Sequence, residues 1–261
     1  MPATGLGAIV TAARAAGHGA GAFNVIGIEH AEAIVAGAEA AGTPVVVAVS
    51  ENCVRYHGAL RPIGQAALAI AADAAVPVAV HLDHATTEEL VTEAGRLGFG
   101  SVMYDASTRP YAQNVAATAD IAAWCHDRGM WIEAEIGEIG GKDGAHAHGA
   151  RTRPQEAADY AVATGADALA VAVGSSHAML TRDAVLDLEL IGQIRAAVGV
   201  PLVLHGSSGV PDAMLTRDAV LDLELVARIH AAVGVPLVLH GSSGVPDGQL
   251  AAAVRAGLTG A

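Results

Sequence analysis

Short apolar runs alternate with alanine-rich helical stretches, and this alternation restricts the fold of the chain more than any other feature. Eight apolar runs occur in the sequence. They begin roughly every 30 residues, a spacing typical of successive βα units, which build a parallel sheet covered by helices. The runs occupy residues 21–25, 44–49, 76–84, 101–105, 131–136, 168–173, 201–205 and 236–240. The chain has 261 residues, 52% of them hydrophobic, so it can bury one large α/β core.

The third run ends in polar side chains. His81, Asp83 and His84 directly follow the apolar residues 76–80. Polar residues also end several of the later runs, whereas an open doubly wound sheet would need them only where the strand order reverses. In a barrel all strand ends meet at one face, where catalytic residues collect. The pattern therefore favours a (β/α)8 TIM barrel, and we expect a single barrel domain over residues 1–261.

Histidines at three strand ends predict a metal site. His84, His177 and His205 each stand at or just after an apolar run. One such histidine would more often be a hydrogen-bonded core or surface residue, but three at one barrel mouth suit a divalent metal, above all zinc. Asp83, next to His84, is a candidate general acid or base; the alternative is a carboxylate that only orients an imidazole.

Two further features point to the same end of the barrel. Glu133 and Glu135 alternate along the fifth run, so they share one face, with Glu135 nearer the mouth. Inward carboxylates are costly unless they meet a cation, which favours a function, although salt bridges to helices are an alternative. Glycine- and serine-rich segments at 174–176 and 206–209 follow late runs, where barrel enzymes bind phosphate through backbone N–H groups. Plain turns are the other interpretation of these segments.

Composition argues against several classes of protein. The net charge is −13, with 14 Lys and Arg against 27 Asp and Glu, so we expect no nucleic-acid partner. No basic leader and no apolar run of membrane-spanning length occurs, which predicts a cytoplasmic protein without membrane contact. Lys142 is the only lysine and lies in a glycine-rich stretch, an unsuitable place for a Schiff base. Cys53 and Cys125 lack metal-type spacing, and we interpret both as small buried residues.

An internal repeat occupies the last third of the chain. Residues 178–212 recur as 213–247 with only four differences. The repeated unit is a predicted helix, 181–197, followed by a strand and its glycine-rich loop. In one arrangement the second strand takes the eighth place, closes the barrel and leaves His205 as the ligand. In the other, one copy is extruded as an insertion; if the second copy takes the seventh place, His240 replaces His205. We favour closure, because an uncovered strand would leave backbone groups unpaired at an edge.

Several of these motifs together resemble a known family. They are Gly21-Ala22-Phe23-Asn24, His81-Leu82-Asp83-His84, Glu133-Ala134-Glu135-Ile136-Gly137 with Gly140-Gly141-Lys142-Asp143-Gly144, Val173-Gly174-Ser175-Ser176-His177, and Leu204-His205-Gly206-Ser207-Ser208-Gly209. In their order and spacing they are similar to the class II, zinc-dependent ketose-bisphosphate aldolases, which include fructose- and tagatose-bisphosphate enzymes. The resemblance extends from the first strand to about residue 212.

The resemblance implies a reaction and a metal centre. The family's reaction is metal-dependent aldol cleavage or condensation between a ketose bisphosphate and dihydroxyacetone phosphate plus an aldehyde such as glyceraldehyde 3-phosphate. The implied zinc ligands are His84, His177 and His205, with Glu135 near the metal. Asp83 would protonate or deprotonate the oxygen at the carbon–carbon bond that is cleaved.

The remaining implied roles concern proton transfer and phosphate. Asp143 falls where the family's flexible loop supplies a carboxylate for proton transfer at the ketose carbon. A monovalent cation would assist phosphate binding, and a homo-oligomer is expected. The implied substrate- and phosphate-binding residues are Asn24, Gly174, Gly206, Ser207 and Ser208.

Two departures from the family pattern keep other interpretations open. The loop after the second strand reads Ser50-Glu51-Asn52, so the aldehyde is not specified, and no Asn-x-x-Thr phosphate motif follows residues 253–259. We therefore expect activity to be impaired to some degree. The alternative is a catalytically impaired metal-binding barrel with an assembly role; a chain without a stable fold is a third.

Overall fold

A computed structural model of the protein describes residues 4–17, 19–136, 151–175 and 184–206, with the backbone of residues 238–239. The strands are β1 Ala22–Asn24, β2 Val45–Ser50, β3 Val78–Ala85, β4 Ser101–Tyr104, β5 Trp131–Glu135, β6 Ala168–Ala170, β7 Leu202–Leu204 and β8 Val238–Leu239. The helices in this part of the chain are α1 Leu6–Ala16, α2 Ile28–Ala41, α3 Glu51–His57, α4 Leu60–Asp73, α5 Glu88–Leu97, α6 Tyr111–His126, α7 Pro154–Thr164 and α8 Leu188–Ala197.

The strands form one curled parallel sheet in which the order follows the sequence, from β1 to β8. Every neighbouring pair is parallel, which confirms the predicted parallel α/β architecture. In the last pair, Val203 and Leu204 of β7 lie opposite Val238 and Leu239 of β8. Closure of the sheet into a complete (β/α)8 barrel by the second copy of the repeat stays a prediction, since β8 is described over two residues only.

The two faces of the strands belong to different hydrophobic clusters. Successive side chains of a strand point to opposite faces, and β2 shows this clearly. Val45, Val47 and Val49 pack into a cluster that includes residues of the covering helices, whereas Val46 belongs to a second cluster on the other face. The alternation therefore builds a helix-facing core outside the sheet and a separate interior core within its curve.

Helix α1 packs on the interior core at the amino-terminal ends of the strands. This helix is not among the elements predicted from the sequence. Its buried residues Leu6, Ile9 and Val10 share a cluster with Ala79 near the start of β3 and Val203 on β7. The amino-terminal end of the sheet interior is thus filled with apolar side chains.

Helix starts follow capping chemistry, in one case later than predicted. Thr87 caps α5, and its hydroxyl accepts a hydrogen bond from the Leu90 N–H at 3.4 Å. The helix predicted over 181–197 begins only at Leu188, because the Asp187 carboxylate accepts the Leu190 N–H at 2.9 Å and caps it there. Among the helices of the described ranges, none is long and apolar enough to cross a membrane.

Both cysteines are buried and separate, as predicted from their spacing. Cys53 lies on α3 and Cys125 on α6. Burial raises the pKa of the Cys125 thiol to about 12, and it also raises the pKa of Cys53. These thiols therefore behave as small apolar side chains at neutral pH.

A buried polar network attaches α6 and α7 to the carboxyl end of β5. The Asn114 side-chain amide donates to the backbone carbonyl of Glu135 at 3.1 Å. The Asn114 side-chain oxygen accepts the Tyr160 hydroxyl at 2.6 Å and the Thr118 hydroxyl at 3.0 Å. Burial raises the pKa of Tyr160, so its hydroxyl stays a donor at ordinary pH. The network holds the last residue of β5 in a defined position.

Candidate active site

The end of β3 departs from regular strand geometry where the polar motif begins. The register between β3 and β4 shifts between Leu82 and Ala85, and His84 has a φ of 50°. Positive φ is strained for most residues, although histidine tolerates it better than branched side chains. A shift of register re-aims side chains at a strand end. The conformation therefore turns His84 out of the simple alternation that the sequence predicts.

Asp83 is buried and held by a neighbour from the first strand. It is 2% exposed, and the Asn24 side-chain amide donates to its Oδ2 at 2.9 Å. Its Oδ1 lies 3.9 Å from Nε2 of His84. An oriented carboxylate beside an imidazole, with little access to water, is suited to proton transfer with a bound substrate.

The second ring nitrogen of His84, Nδ1, faces two carboxylates that hold the ring in place. Nδ1 lies 3.1 Å from Oδ2 of Asp105 and 3.6 Å from Oε2 of Glu135. Asp105 directly follows β4, and Glu135 ends β5. Carboxylates that accept the N–H of one ring nitrogen commonly orient the second nitrogen toward a metal.

His205 approaches the same place from β7. It follows the last strand residue, Leu204, and is completely buried. Its Nε2 lies 2.6 Å from Oε1 of Glu133, and its ring centroid lies 4.6 Å from that of His84. The structure therefore brings together two histidines that are far apart in the sequence.

The donor atoms form two groups that share His84. In the first, one atom each from Asp83, His84 and His205 lie within 4.8 Å of one another; in the second, atoms of His84, Asp105 and Glu135 do. Two imidazoles and a carboxylate form a nitrogen and oxygen donor set that zinc accepts, so the chemistry of the first group fits that metal. Glu135, expected near the metal, belongs to the second group.

The structure describes only part of the predicted site. It brings Asn24, Asp83, His84, Glu135 and His205 into one region through the contacts Asn24–Asp83, Asp83–His84, His84–Glu135 and His84–His205. Predicted site residues outside the described part are Asp143, His177, Ser207, Ser208 and the alternative ligand His240.

Both glycines predicted to bind phosphate occupy conformations that favour glycine. Gly174 has a φ of 120°, and a Cβ there would overlap the backbone carbonyl oxygen of Val185. Gly206, which directly follows His205, has a φ of 77°. Glycine adopts such angles without a side-chain penalty. These two backbone positions would be strained with any other residue, which suits segments that must bring their N–H groups close to a ligand.

Asp105 is not among the site residues predicted from the sequence, and His81 has no predicted role. Asp105 is a polar residue at the end of the fourth apolar run. The pattern that predicts site residues at the end of the third run therefore indicates Asp105 as well. His81 is 1% exposed, and its Nδ1 lies 3.0 Å from the Ser101 hydroxyl. Glu133 and Glu135 are both buried beside histidines, as the prediction of inward carboxylates requires.

Known proteins match the chain over most of its length. The family model described as "Fructose-bisphosphate aldolase class-II" matches residues 5–220 and 215–259. The chain belongs to the class-II fructose-bisphosphate aldolase family. A fructose-bisphosphate aldolase of Thermus caldophilus is 41% identical over 217 residues, which cover 81% of this chain and 70% of the relative. One from Giardia intestinalis is 38% identical over 218 residues, covering 81% of this chain and 67% of that protein.

A solved structure agrees with this assignment. The YdjI aldolase from Escherichia coli K12 superimposes with a TM-score of 0.73 at 26% identity, covering 98% of this chain and 93% of that one. The family resemblance expected from the motifs is therefore confirmed, and with it the class of enzyme, an aldolase-type lyase. The alternative of an impaired barrel with an assembly role is not favoured, because these relatives are aldolases.

Proposed function

We propose that this chain cleaves a ketose bisphosphate reversibly to dihydroxyacetone phosphate and an aldehyde such as glyceraldehyde 3-phosphate, with zinc held by His84, His177 and His205. One observation carries the proposal: a buried carboxylate, Asp83, lies with His84 and His205 at the carboxyl end of a parallel sheet, with donor atoms within 4.8 Å of one another. Family membership supplies the class of reaction.

The nitrogen chemistry of the two described histidines supports their role as ligands. His84 is held at Nδ1 by Asp105, which leaves Nε2 as the ligand nitrogen, and His205 is held at Nε2 by Glu133, which leaves Nδ1. A bound zinc ion supplies Lewis acidity, which polarises a substrate carbonyl and stabilises negative charge next to the bond that breaks.

Asp83 performs the proton transfer at the bond that is cleaved. In the cleavage direction its carboxylate takes the proton of the hydroxyl whose carbon becomes the aldehyde; in condensation it returns that proton. Asn24 donates to Oδ2 and so keeps the carboxylate in one orientation. Burial of Asp83 keeps water from competing for the proton.

The remaining roles rest on the family resemblance and on the backbone. Asp143 transfers a proton at the ketose carbon. Backbone N–H groups near Gly174 and Gly206 bind phosphate, and their positive φ angles support this role. Ser207 and Ser208 contribute their hydroxyls, and a monovalent cation assists.

The repeat completes the barrel in this proposal. The pairing of Val238 and Leu239 with β7 supports an eighth βα unit from the second copy, so that residues 1–261 form one TIM-barrel domain. His205 then remains the ligand, since it lies at the end of the strand that pairs with β6.

The test is release of triose phosphate from fructose and tagatose bisphosphates by the purified chain, measured as prepared, after EDTA, and after zinc is restored. We expect cleavage that disappears with chelation and returns with zinc. Magnesium added in place of zinc controls for a general effect of divalent ions. Folded, zinc-loaded protein that cleaves neither sugar, or activity that survives full chelation, would refute the proposal.

A further inference from the structure

A layer of buried polar side chains lies beneath the candidate site. On β3, His81 stands two residues before Asp83, and on β5, Glu133 stands two residues before Glu135. Residues two apart share a strand face, so this layer lies on the same face as the site but nearer the amino-terminal ends. His81 and Glu133 are each 1% exposed.

The layer forms a connected chain of contacts that ends at His205. Oε1 of Glu133 accepts a hydrogen bond from Nε2 of His205 at 2.6 Å, and Oε2 of Glu133 lies 3.9 Å from Nε2 of His81. Nδ1 of His81 lies within hydrogen-bond distance of the Ser101 hydroxyl, at 3.0 Å, and that hydroxyl donates to the Val80 carbonyl at 3.5 Å. The contacts join β3, β4 and β5 to the end of β7.

The direction of these hydrogen bonds determines which nitrogen of His205 can bind a metal. An ionised carboxylate only accepts hydrogen bonds, so the proton of a neutral His205 ring lies on Nε2. The lone pair then lies on Nδ1, the atom that remains for a metal. Hydrogen bonds of this kind fix both the tautomer and the ring orientation of metal-bound histidines.

The free-energy cost of burying a carboxylate argues that this layer does more than fill the interior. A buried carboxylate loses its hydration, and replacement of a buried ionic group by apolar residues is often neutral or stabilising. The interior core that borders this layer is apolar: Ala79 precedes His81 by two residues on β3, and Met103 of β4 pairs with Glu133. An apolar layer in place of Glu133 and His81 would thus have been compatible with the same sheet.

We propose that Glu133 is a positioning residue that holds His205 in the tautomer and orientation needed to bind the metal, and that Ser101 and His81 hold Glu133 in turn. The inference rests on the proposed function, since it takes His205 as a metal ligand. It assigns to the fifth strand two carboxylates with separate tasks: Glu133 acts on His205, and Glu135 lies beside His84.

The test measures zinc affinity of the metal-free full chain by competition with a chromophoric chelator, so that turnover is not needed. Glu133→Gln keeps the size of the side chain and removes its charge. We expect zinc to bind about ten- to a hundredfold more weakly to this variant than to the unaltered chain. Thr164→Val is the matched control, because it removes a buried hydrogen bond from the Thr164 hydroxyl to the Tyr160 carbonyl within α7; its zinc affinity should not change.

A double-mutant cycle asks whether Glu133 acts through His205. In a His205→Ala background, Glu133→Gln should cause no further loss of zinc affinity, because the ring that Glu133 orients is gone. A Co²⁺-substituted sample provides a second readout: the visible absorption bands of Glu133→Gln should shift, since ring orientation changes the ligand field. Equal weakening by Glu133→Gln in both backgrounds would overturn the proposal.

The outcomes separate this inference from the proposed function. If the unaltered chain binds no zinc, or if His205→Ala binds it as tightly, the ligand assignment fails. If His205→Ala weakens binding while Glu133→Gln does not, only the positioning role of Glu133 fails. Should Glu133→Gln lack a cooperative thermal transition, Ser101→Ala replaces it. A several-fold weakening is then expected, and an unchanged affinity overturns the proposal.

Discussion

The two ends of the sheet interior differ in chemistry although they belong to the same strands. At the amino-terminal end, Ala22, Ala79 and Val203 pack with helix α1 in an apolar cluster. Two residues further along those strands stand Asn24, His81 and His205, all polar. The apolar end stabilises the fold, because burial of such surface contributes roughly 25 cal/mol per Å².

At the polar end, buried carboxylates lower the stability of the fold but supply the groups needed for chemistry. Asp83, Glu133 and Glu135 are all at most 2% exposed, and buried carboxylates are costly without partners. Each lies within 4 Å of a histidine. We therefore expect substitutions at the polar end to change activity far more than stability, and substitutions at the apolar end to do the reverse.

The largest expected effect follows from Asp83→Asn. The substitution preserves size and an oxygen that can accept from Asn24, but it removes the proton-transfer group. We expect cleavage to fall by about a hundred- to ten-thousandfold, the range for loss of a general acid or base. The melting temperature should stay the same or rise, since a buried charge is removed. Steady-state cleavage rates and circular dichroism melts measure the two effects.

Asp120→Asn is the control for that substitution, because Asp120 is an exposed carboxylate on α6. It should alter neither rate nor melting temperature. If Asp83→Asn retained a tenth or more of the activity, Asp83 would only orient its neighbour, and the contrast between the two ends would lose its catalytic basis.

A smaller effect is expected at the opposite end, from Ile9→Ala. Ile9 is 4% exposed in the cluster between α1 and the sheet interior. Loss of its buried methyl and methylene groups should lower the free energy of unfolding by about 2–5 kcal/mol. Turnover per folded molecule should not change. Urea unfolding and activity at low urea measure these quantities.

Thr11→Ala serves as the comparison on the same helix, since Thr11 is exposed. It should shift the urea midpoint little. A large loss of turnover in folded Ile9→Ala protein would mean that the apolar end also positions the site.

The smallest effect is expected from Tyr160→Phe, which removes the hydroxyl that donates to Asn114 at 2.6 Å. The free energy of unfolding should fall by about 1–2 kcal/mol, with turnover changed only a few-fold. Because burial raises the pKa of Tyr160 above its ordinary value, the hydroxyl keeps its proton in the folded state. Its contribution is fully present below the unfolded pKa of about 10 and falls only above it.

The difference in unfolding free energy between Tyr160→Phe and the unaltered chain should therefore be the same at pH 6 and at pH 9. Urea titrations at the two pH values measure it. A difference that grows toward pH 9 would show that Tyr160 ionises in the folded protein below its unfolded pKa, contrary to its burial.

The sequence by itself determined the order of the elements and the ends at which chemistry collects. Alternating runs predicted the parallel sheet, and polar residues at run ends predicted Asp83, His84, Glu135 and His205 as neighbours, because parallel strands place their carboxyl ends together. A period of two also predicted that Glu133 and Glu135 share a face.

Only the tertiary structure decided which carboxylate meets which imidazole. Glu133 contacts His205 across 72 residues of sequence, whereas Glu135 lies beside His84. The pattern along one strand specifies a face but not the distance to a strand elsewhere in the curved sheet. The positive φ of His84 could not be predicted either, because it coincides with a register shift that depends on how β3 pairs with β4. The position of α1 against the sheet interior could not be predicted either, because it depends on the curvature of the sheet, and no local sequence pattern specifies that curvature.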